Sequence, residues 1–446
     1  MTYSTLWLSQ IQFFASLGFM LMFLVIELGL AWVLLYFKLR AFGREHAAWT
    51  AAYRFWVRVF ALAFVLSFAA SMPVLIQLGG LWPTLMEKIG DVAGPLLAAG
   101  ILSTFIFKSC FLGAMLFGQR HLSEKLHALV VFMVALGVTA SSFWMLALLS
   151  WMHVPTGARM LDERYWVIDW ADIIFNPALP WYGGLFMLTG LLTAAFLVLG
   201  IIALQTLRRP VDESGRLVFK TAAWLAGASI VLQAALAAGA GGMTAQYQPA
   251  KAAAVSGYWH SGELPRVALF DASGAQDRAG DEESIWHAAA GHWLGRDKNG
   301  RYRGLDQFAG MAPPVAVTFW SYRLAAFTGL LMLLVAAVTL LRGRRRGFDP
   351  GALSRGWRRV LIAMSFSGWP MLLGGAAYVF FGSFPYAVTG TITLSEVTGD
   401  TPFDIILGGY LAYLLFYALF LAGFFQMLRH IVRYGVVPVA RHRGRA

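Results

Sequence analysis

The sequence predicts an all-α, polytopic integral membrane protein with nine transmembrane helices, its amino terminus outside the cytoplasm and its carboxyl terminus inside. Composition is the first reason, because 59% of the 446 residues are hydrophobic and 13% are charged, against about 25% charged residues in soluble domains. The second reason is that the apolar residues lie in runs long enough to cross a bilayer. The third is that basic residues cluster in alternate loops, as they do between membrane spans.

Nine stretches of the chain have the length and apolarity of a span, which takes about 20 residues. In chain order, the predicted spans are Phe14–Leu35, Trp56–Gly79, Val92–Gly118, His127–Trp151, Tyr182–Leu207, Phe219–Gly242, Val317–Leu341, Arg359–Phe381 and Phe403–Leu428. No positive charge precedes the first apolar run, so we expect a first span here and not a cleaved signal peptide.

Lysine and arginine concentrate in every second loop. Lys38 and Arg40 follow the first span and Arg208 and Arg216 follow the fifth, whereas residues 382–402 contain neither type. Because short cytoplasmic loops carry the excess of basic residues, the odd-numbered loops are predicted to face the cytoplasm. The net charge of +12 is therefore a topology signal, and we expect contact with the lipid bilayer and not with nucleic acid.

One connection is much longer than the others. Residues 243–316, between the sixth and seventh spans, have mixed charge and many glycines, and a loop of that length is either functional or disordered. The chain therefore divides into residues 1–242 with six spans, the external loop 243–316, and residues 317–446 with three spans and a basic cytoplasmic tail. The single cysteine, Cys110, excludes an intrachain disulfide.

Several local motifs occur in a specific order along this framework. They are LSQIQF (Leu8 to Phe13), SWMHVPTG (Ser150 to Gly157), the pair Asn176-Pro177, KAAAVSGYW (Lys251 to Trp259) and FWSYR (Phe319 to Arg323). With nine spans and one long external loop, this order resembles subunit I of the cytochrome bd quinol oxidases over essentially the full length. The resemblance implies two helix bundles, spans one to four and five to eight, in a bacterial or archaeal cell (inner) membrane.

The same resemblance implies three haems, of types b and d, but the ligand pattern is not retained. The family's ligand positions are occupied here by Met20, Leu185, Ala325 and Leu373. Haem iron takes an imidazole, thiolate, thioether or phenolate ligand, and all nine histidines lie in loops or near span ends. Because the family's ligands are not retained, we assign no haem, no other metal and no catalytic residue to this chain.

Two basic residues match functional positions of the family. Lys251 aligns with a lysine near the family's quinol site, although Ser256 replaces the expected acidic partner. Arg323 aligns with an arginine close to haem propionates. Each has a simpler interpretation, in which Lys251 is a solvated loop charge and Arg323 extends to the membrane interface.

Two further charges, Glu27 and Lys108, lie deep inside predicted spans one and three. A charge at the centre of a span costs roughly 2.5–3.5 kcal/mol on insertion scales and indicates a function. Their depths differ by about 5 Å. Three hypotheses stay open: an ion pair that fills the space of a missing haem, two separately solvated or backbone-bound charges, or part of a proton path.

The sequence thus predicts a subunit-I-like component of a bd-type quinol oxidase complex, degenerate and without haems of its own. It would act beside other membrane subunits, with quinol as a further partner. One alternative is an active haem-binding quinol:oxygen oxidoreductase subunit with displaced ligands, and another is a transporter or membrane sensor on the same scaffold. In span three, Gly94, Gly100 and Gly113 are expected to permit close helix contact.

Overall fold

The computed structural model describes residues 3–43, 45–208, 210–273 and 291–434. Within these residues nine helices are long and apolar enough to cross a membrane, which confirms the number predicted from the sequence. Spans 1 to 9 are Ser4–Arg40, His46–Leu81, Pro83–Phe117, Glu124–His153, Leu179–Thr206, Glu213–Tyr247, Val315–Arg345, Arg355–Phe381 and Phe403–Tyr434. The basic tail predicted after span 9 extends into residues 435–446, which lie outside the described residues.

Polar side chains cap the first turn of spans 4, 6 and 8. The hydroxyl of Ser123 accepts a hydrogen bond from the Leu126 backbone N–H at 3.3 Å at the start of span 4. Asp212 does the same for Gly215 at 2.9 Å at the start of span 6. Such caps satisfy N–H groups that have no partner within the helix.

Span 3 contains one turn of π-helix, Thr104–Ser109, between the α-helical segments Pro83–Ser103 and Cys110–Phe117. The wider turn changes which side chains face inward. Lys108 is buried there, whereas Phe105 and Ile106 are exposed.

Spans 1 to 4 pack together, spans 5 to 8 pack together, and span 1 contacts both groups. Spans 1 and 5 form the centre, since 72% of the most apolar stretch of each is buried. Their backbones approach closely at Gly29, since a Cβ atom added to this glycine would lie only 2.0 Å from the Gly190 carbonyl oxygen. The close contacts predicted at Gly94 and Gly113 are wrong, since a Cβ on either would meet no described atom within 4 Å.

Short elements cover one end of the bundle. The strands are β1 (Ala158–Leu161), β2 (Arg164–Val167), β3 (Tyr386–Val388) and β4 (Ile392–Thr393). The short helices are Trp170–Ile174, Pro249–Ser256 and Leu394–Val397. Single 3-10 turns occur in other connections, at Gly118–Arg120, Gly291–Trp293, Leu305–Phe308 and Pro350–Ala352. Strands β1 and β2 are antiparallel, with Ala158 opposite Val167. Lys88 of span 3 reaches Glu163 beside this hairpin at 3.4 Å.

Candidate functional site

The four positions that the resemblance aligns with the family's haem ligands, Met20, Leu185, Ala325 and Leu373, lie in spans 1, 5, 7 and 8. Only Met20 carries an atom able to bind iron, a thioether sulfur, and its side chain is buried. Leu185, Ala325 and Leu373 have no donor atom in their side chains.

The helices that carry these positions are in direct contact. A Cβ atom on Gly18, two residues before Met20, would lie 2.9 Å from Leu373 Cδ2. A Cβ on Gly374 would lie 2.8 Å from the backbone nitrogen of Ala325. Carbon atoms in contact sit about 3.5–4 Å apart, so span 8 is in direct contact with span 1 at Gly18 and with span 7 at Ala325.

Aromatic side chains fill the space between spans 1, 8 and 9. The ring of Phe23 lies 5.0 Å from that of Phe424 and 5.8 Å from that of Trp369. Phe19 stacks on Tyr417 at 4.4 Å. The Trp369 indole N–H donates to the Met22 carbonyl at 2.9 Å, which ties span 8 to span 1.

The buried histidines contact polar groups of other helices in the described part of the chain. Its two buried histidines, His127 and His153, lie at opposite ends of span 4. A ring nitrogen of His127 contacts the Met115 carbonyl at 3.2 Å, and His153 contacts the Tyr182 hydroxyl at 2.9 Å. The described residues also contain no group of three or more His, Cys, Asp or Glu side chains that could hold a metal ion. Three of the four positions aligned with the family's haem ligands, Leu185, Ala325 and Leu373, have no side-chain donor atom and do not fit haem ligation.

Arg323 binds the external loop. Its guanidinium donates to the carbonyl oxygens of Val255 at 2.6 Å, Ala268 at 2.5 Å and Leu269 at 3.0 Å. It donates also to the Phe319 carbonyl and lies over that ring, 3.3 Å from the centroid. Four of the five N–H groups of this arginine are thus directed to backbone carbonyls, which leaves one for any propionate.

Lys251 is buried, so the interpretation as a solvated loop charge is wrong. Its ammonium contacts Gln248 Oε1 at 3.3 Å, the Val379 carbonyl at 3.5 Å and the Tyr378 ring at 4.5 Å. No carboxylate of the described residues pairs with it. Ser256, at the position of the missing acid, is also buried. Burial without a counter-charge lowers the pKa of Lys251 to about 7.

The intramembrane charges meet, as the ion-pair hypothesis requires. Lys108 Nζ lies 2.9 Å from Glu27 Oε1, and the Ser67 hydroxyl donates to Glu27 Oε2 at 2.5 Å. The ammonium also lies 4.9 Å from the centre of the Phe64 ring. Because both charged side chains are buried and joined, separate solvation of the two charges does not describe this structure.

Some contacts of the buried charged side chains were not predicted from the sequence. Ser67 is one hydroxyl in a long apolar run, and its position relative to Glu27 depends on how spans 1 and 2 face each other. Lys38, read from the sequence as a loop charge, is 1% exposed and contacts Glu124 at 2.5 Å. A basic residue late in span 1 and an acid at the start of span 4 were the only sequence signals.

The comparisons with known proteins agree with this architecture. The chain is 28% identical over 433 residues to cytochrome bd ubiquinol oxidase subunit 1 of Bacillus subtilis, covering 91% of this chain and 90% of that protein. It is 28% identical over 260 residues to cytochrome bd-II ubiquinol oxidase subunit 1 of Escherichia coli, covering 58% and 51%. The fold matches a chain of the bd oxidase from Geobacillus thermodenitrificans with a TM-score of 0.83 at 20% identity, over 97% of this chain and 99% of that one.

A family model extends this similarity to nearly the whole sequence. The model described as cytochrome bd terminal oxidase subunit I matches residues 8–436. The match includes the nine spans and the described parts of the external loop. The chain therefore belongs to the cytochrome bd terminal oxidase subunit I family.

Proposed function

We propose that this chain is a component of a bd-type oxidase complex in the bacterial cytoplasmic membrane, and that it carries no haem of its own. One observation supports this proposal most strongly: spans 1 and 8 are in contact at Gly18 and Leu373, and Leu373 is one of the positions that the resemblance aligns with the family's haem ligands. The aromatic cluster around Phe23 and Trp369 occupies the adjoining space. Within the respiratory complex, this chain by itself is then non-catalytic.

The role left for such a chain is structural or regulatory, beside another membrane subunit that holds the haems. Spans 3, 7 and 9 have 17%, 22% and 11% of their most apolar stretch buried. Their uncovered faces are available to lipid or to a second subunit. A proton route through Glu27 and Lys108 stays a prediction.

Quinol contact at Lys251 also stays a prediction. The lysine is 1% exposed, so a quinol reaches it only after the helix Pro249–Ser256 moves. In the present conformation Lys251 instead joins this helix to the end of span 8 through the Val379 carbonyl. That contact supports a role in fixing the external loop.

The first experiment is a dithionite-reduced minus air-oxidised absorption spectrum of the chain purified without other subunits, together with haem extraction. We expect no haem b or haem d bands, while the complex isolated from native membranes has them. Subunit 1 of Bacillus subtilis, prepared in the same way, is the positive control for haem retention.

The alternatives give different results. Haem bands in the isolated chain would refute the haem-free proposal and favour displaced ligands, with the buried Met20 thioether the first candidate. A colourless chain that isolates with no redox subunit would favour a transporter or sensor.

A further inference from the structure

A groove opens between the end of span 1 and the start of span 4, outside the clusters already described. It is a shallow depression with a volume of about 450 Å³. Its lining residues are Leu35, Leu39, Phe42, Lys125, Ala128, Leu129 and Phe132. Leu39, Phe42 and Leu129 are each about half exposed, so the groove opens outward.

The groove runs from the membrane surface into the apolar region. Lys125 is the second residue of span 4 and Phe132 lies seven residues further on, which corresponds to roughly 10 Å along the helix axis. Charge and apolar surface are thus separated along its length, with the ammonium at the outer end and aliphatic and aromatic side chains below. This polarity is that of a phospholipid, whose headgroup is at the surface and whose chains lie deeper.

The charge at the mouth of the groove is positive. Glu124, the acidic neighbour of Lys125, is already paired with Lys38 at 2.5 Å. Lys125 is exposed and has no ion-pair partner among the described residues. Arg40, at the end of span 1, adds a further exposed cation at the same surface. Lys125 and Arg40 therefore place positive charge at the level of the lipid phosphate groups.

We propose that this groove binds an anionic glycerophospholipid, with its phosphate at Lys125 and an acyl chain against Leu129 and Phe132. The ligand belongs to the leaflet that contacts the loop between spans 3 and 4. A bound lipid would connect the ends of spans 1 and 4 beside the ion pair of the buried Lys38 and the exposed Glu124.

The test is native mass spectrometry of the full chain in detergent, titrated with dioleoyl phosphatidylglycerol or dioleoyl phosphatidylcholine. We expect tighter binding of the anionic lipid. Lys125→Gln should weaken that binding about five-fold, the effect of one basic residue near a membrane surface, and leave the zwitterionic lipid unchanged. Leu129→Gln should weaken both lipids. Lys298→Gln, which removes an exposed charge in the external loop, is the matched control and should change neither.

Two results would overturn the proposal. One is equal retention of the two lipids by the unmodified chain. The other is a Lys125→Gln variant that behaves like Lys298→Gln. Thermal unfolding of each variant, compared with the unmodified chain, separates lost binding from lost folding. Neither result depends on whether the chain binds haem.

Discussion

Glu27 and Lys108 place two full charges within the apolar part of the bundle. Removing a charge from water is costly, and mutual attraction offsets that cost only when the geometry is good and the remaining polar atoms are satisfied. Both conditions are met in part, by the 2.9 Å ion pair and by the Ser67 hydroxyl. Since the residues come from spans 1, 2 and 3, the pair fixes the otherwise peripheral span 3 against the centre.

Replacing one partner of the ion pair should lower the free energy of unfolding more than replacing both partners. Glu27→Gln leaves Lys108 buried without a counter-charge, and we expect a loss of roughly 3–5 kcal/mol in the free energy of unfolding. Adding Lys108→Met to Glu27→Gln should recover much of that loss. Thermal unfolding in detergent measures both, with Glu87→Gln, an exposed carboxylate of span 3, as control. Additive losses from the two substitutions would argue against the pair.

Lys251 should make stability depend on pH. Burial lowers its pKa to about 7, below the value of about 10.4 in an unfolded chain. Between these values the unfolded chain binds more protons, so the free energy of unfolding rises with pH, by at most about 1.4 kcal/mol per unit. The destabilisation is complete below about pH 7 and disappears near about pH 10.

Lys251→Met removes the titrating group, so its unfolding temperature should exceed that of the unmodified chain most at about pH 7 and least at about pH 10. Scans of both proteins across this range measure the effect. Lys298→Met is the control for a solvated lysine. If the unfolding temperatures of Lys251→Met and of the unmodified chain changed with pH in parallel, titration of the buried Lys251 would be excluded as the cause of the pH dependence.

At the scale of elements, close helix contact depends on which glycine faces a neighbour. Gly29 of span 1 contacts the backbone of Gly190 in span 5, and Gly137 of span 4 contacts the π-helical turn beside Lys108. Gly94, in a peripheral part of span 3, contacts nothing comparable. The same residue type therefore lies against a neighbouring helix at one position and beside open space at another.

Gly29→Ala should destabilise the protein by roughly 1–3 kcal/mol, because the added methyl group overpacks a backbone contact. Gly94→Ala should leave stability unchanged or raise it slightly, since alanine favours helix more than glycine does. Unfolding temperatures of the two variants give the comparison. If the two substitutions changed the unfolding temperature equally, spans 1 and 5 would be able to move apart around the added methyl group without a loss of stability.

At the scale of the whole molecule, the orientation rests on the basic loops. The described helices are compatible with either direction across the membrane. The loop between spans 3 and 4 is predicted to be cytoplasmic and the loop between spans 6 and 7 external.

Single cysteines test this orientation after Cys110→Ser. We expect a membrane-impermeant maleimide to label Asn299→Cys in intact spheroplasts and to label His121→Cys only after permeabilisation, since both positions are exposed. The opposite pattern would invert the topology.

The sequence by itself determined the class of the protein, the number of spans and the family resemblance. These properties are local, because apolar run length and side-chain chemistry do not depend on helix rotation. Only the tertiary structure decided that Glu27 meets Lys108, that Arg323 binds loop carbonyls, and that Gly29 and not Gly94 forms a close contact. Those outcomes depend on which face each helix turns toward its neighbours. In spans that are apolar on nearly all sides, hydrophobic periodicity does not specify that face.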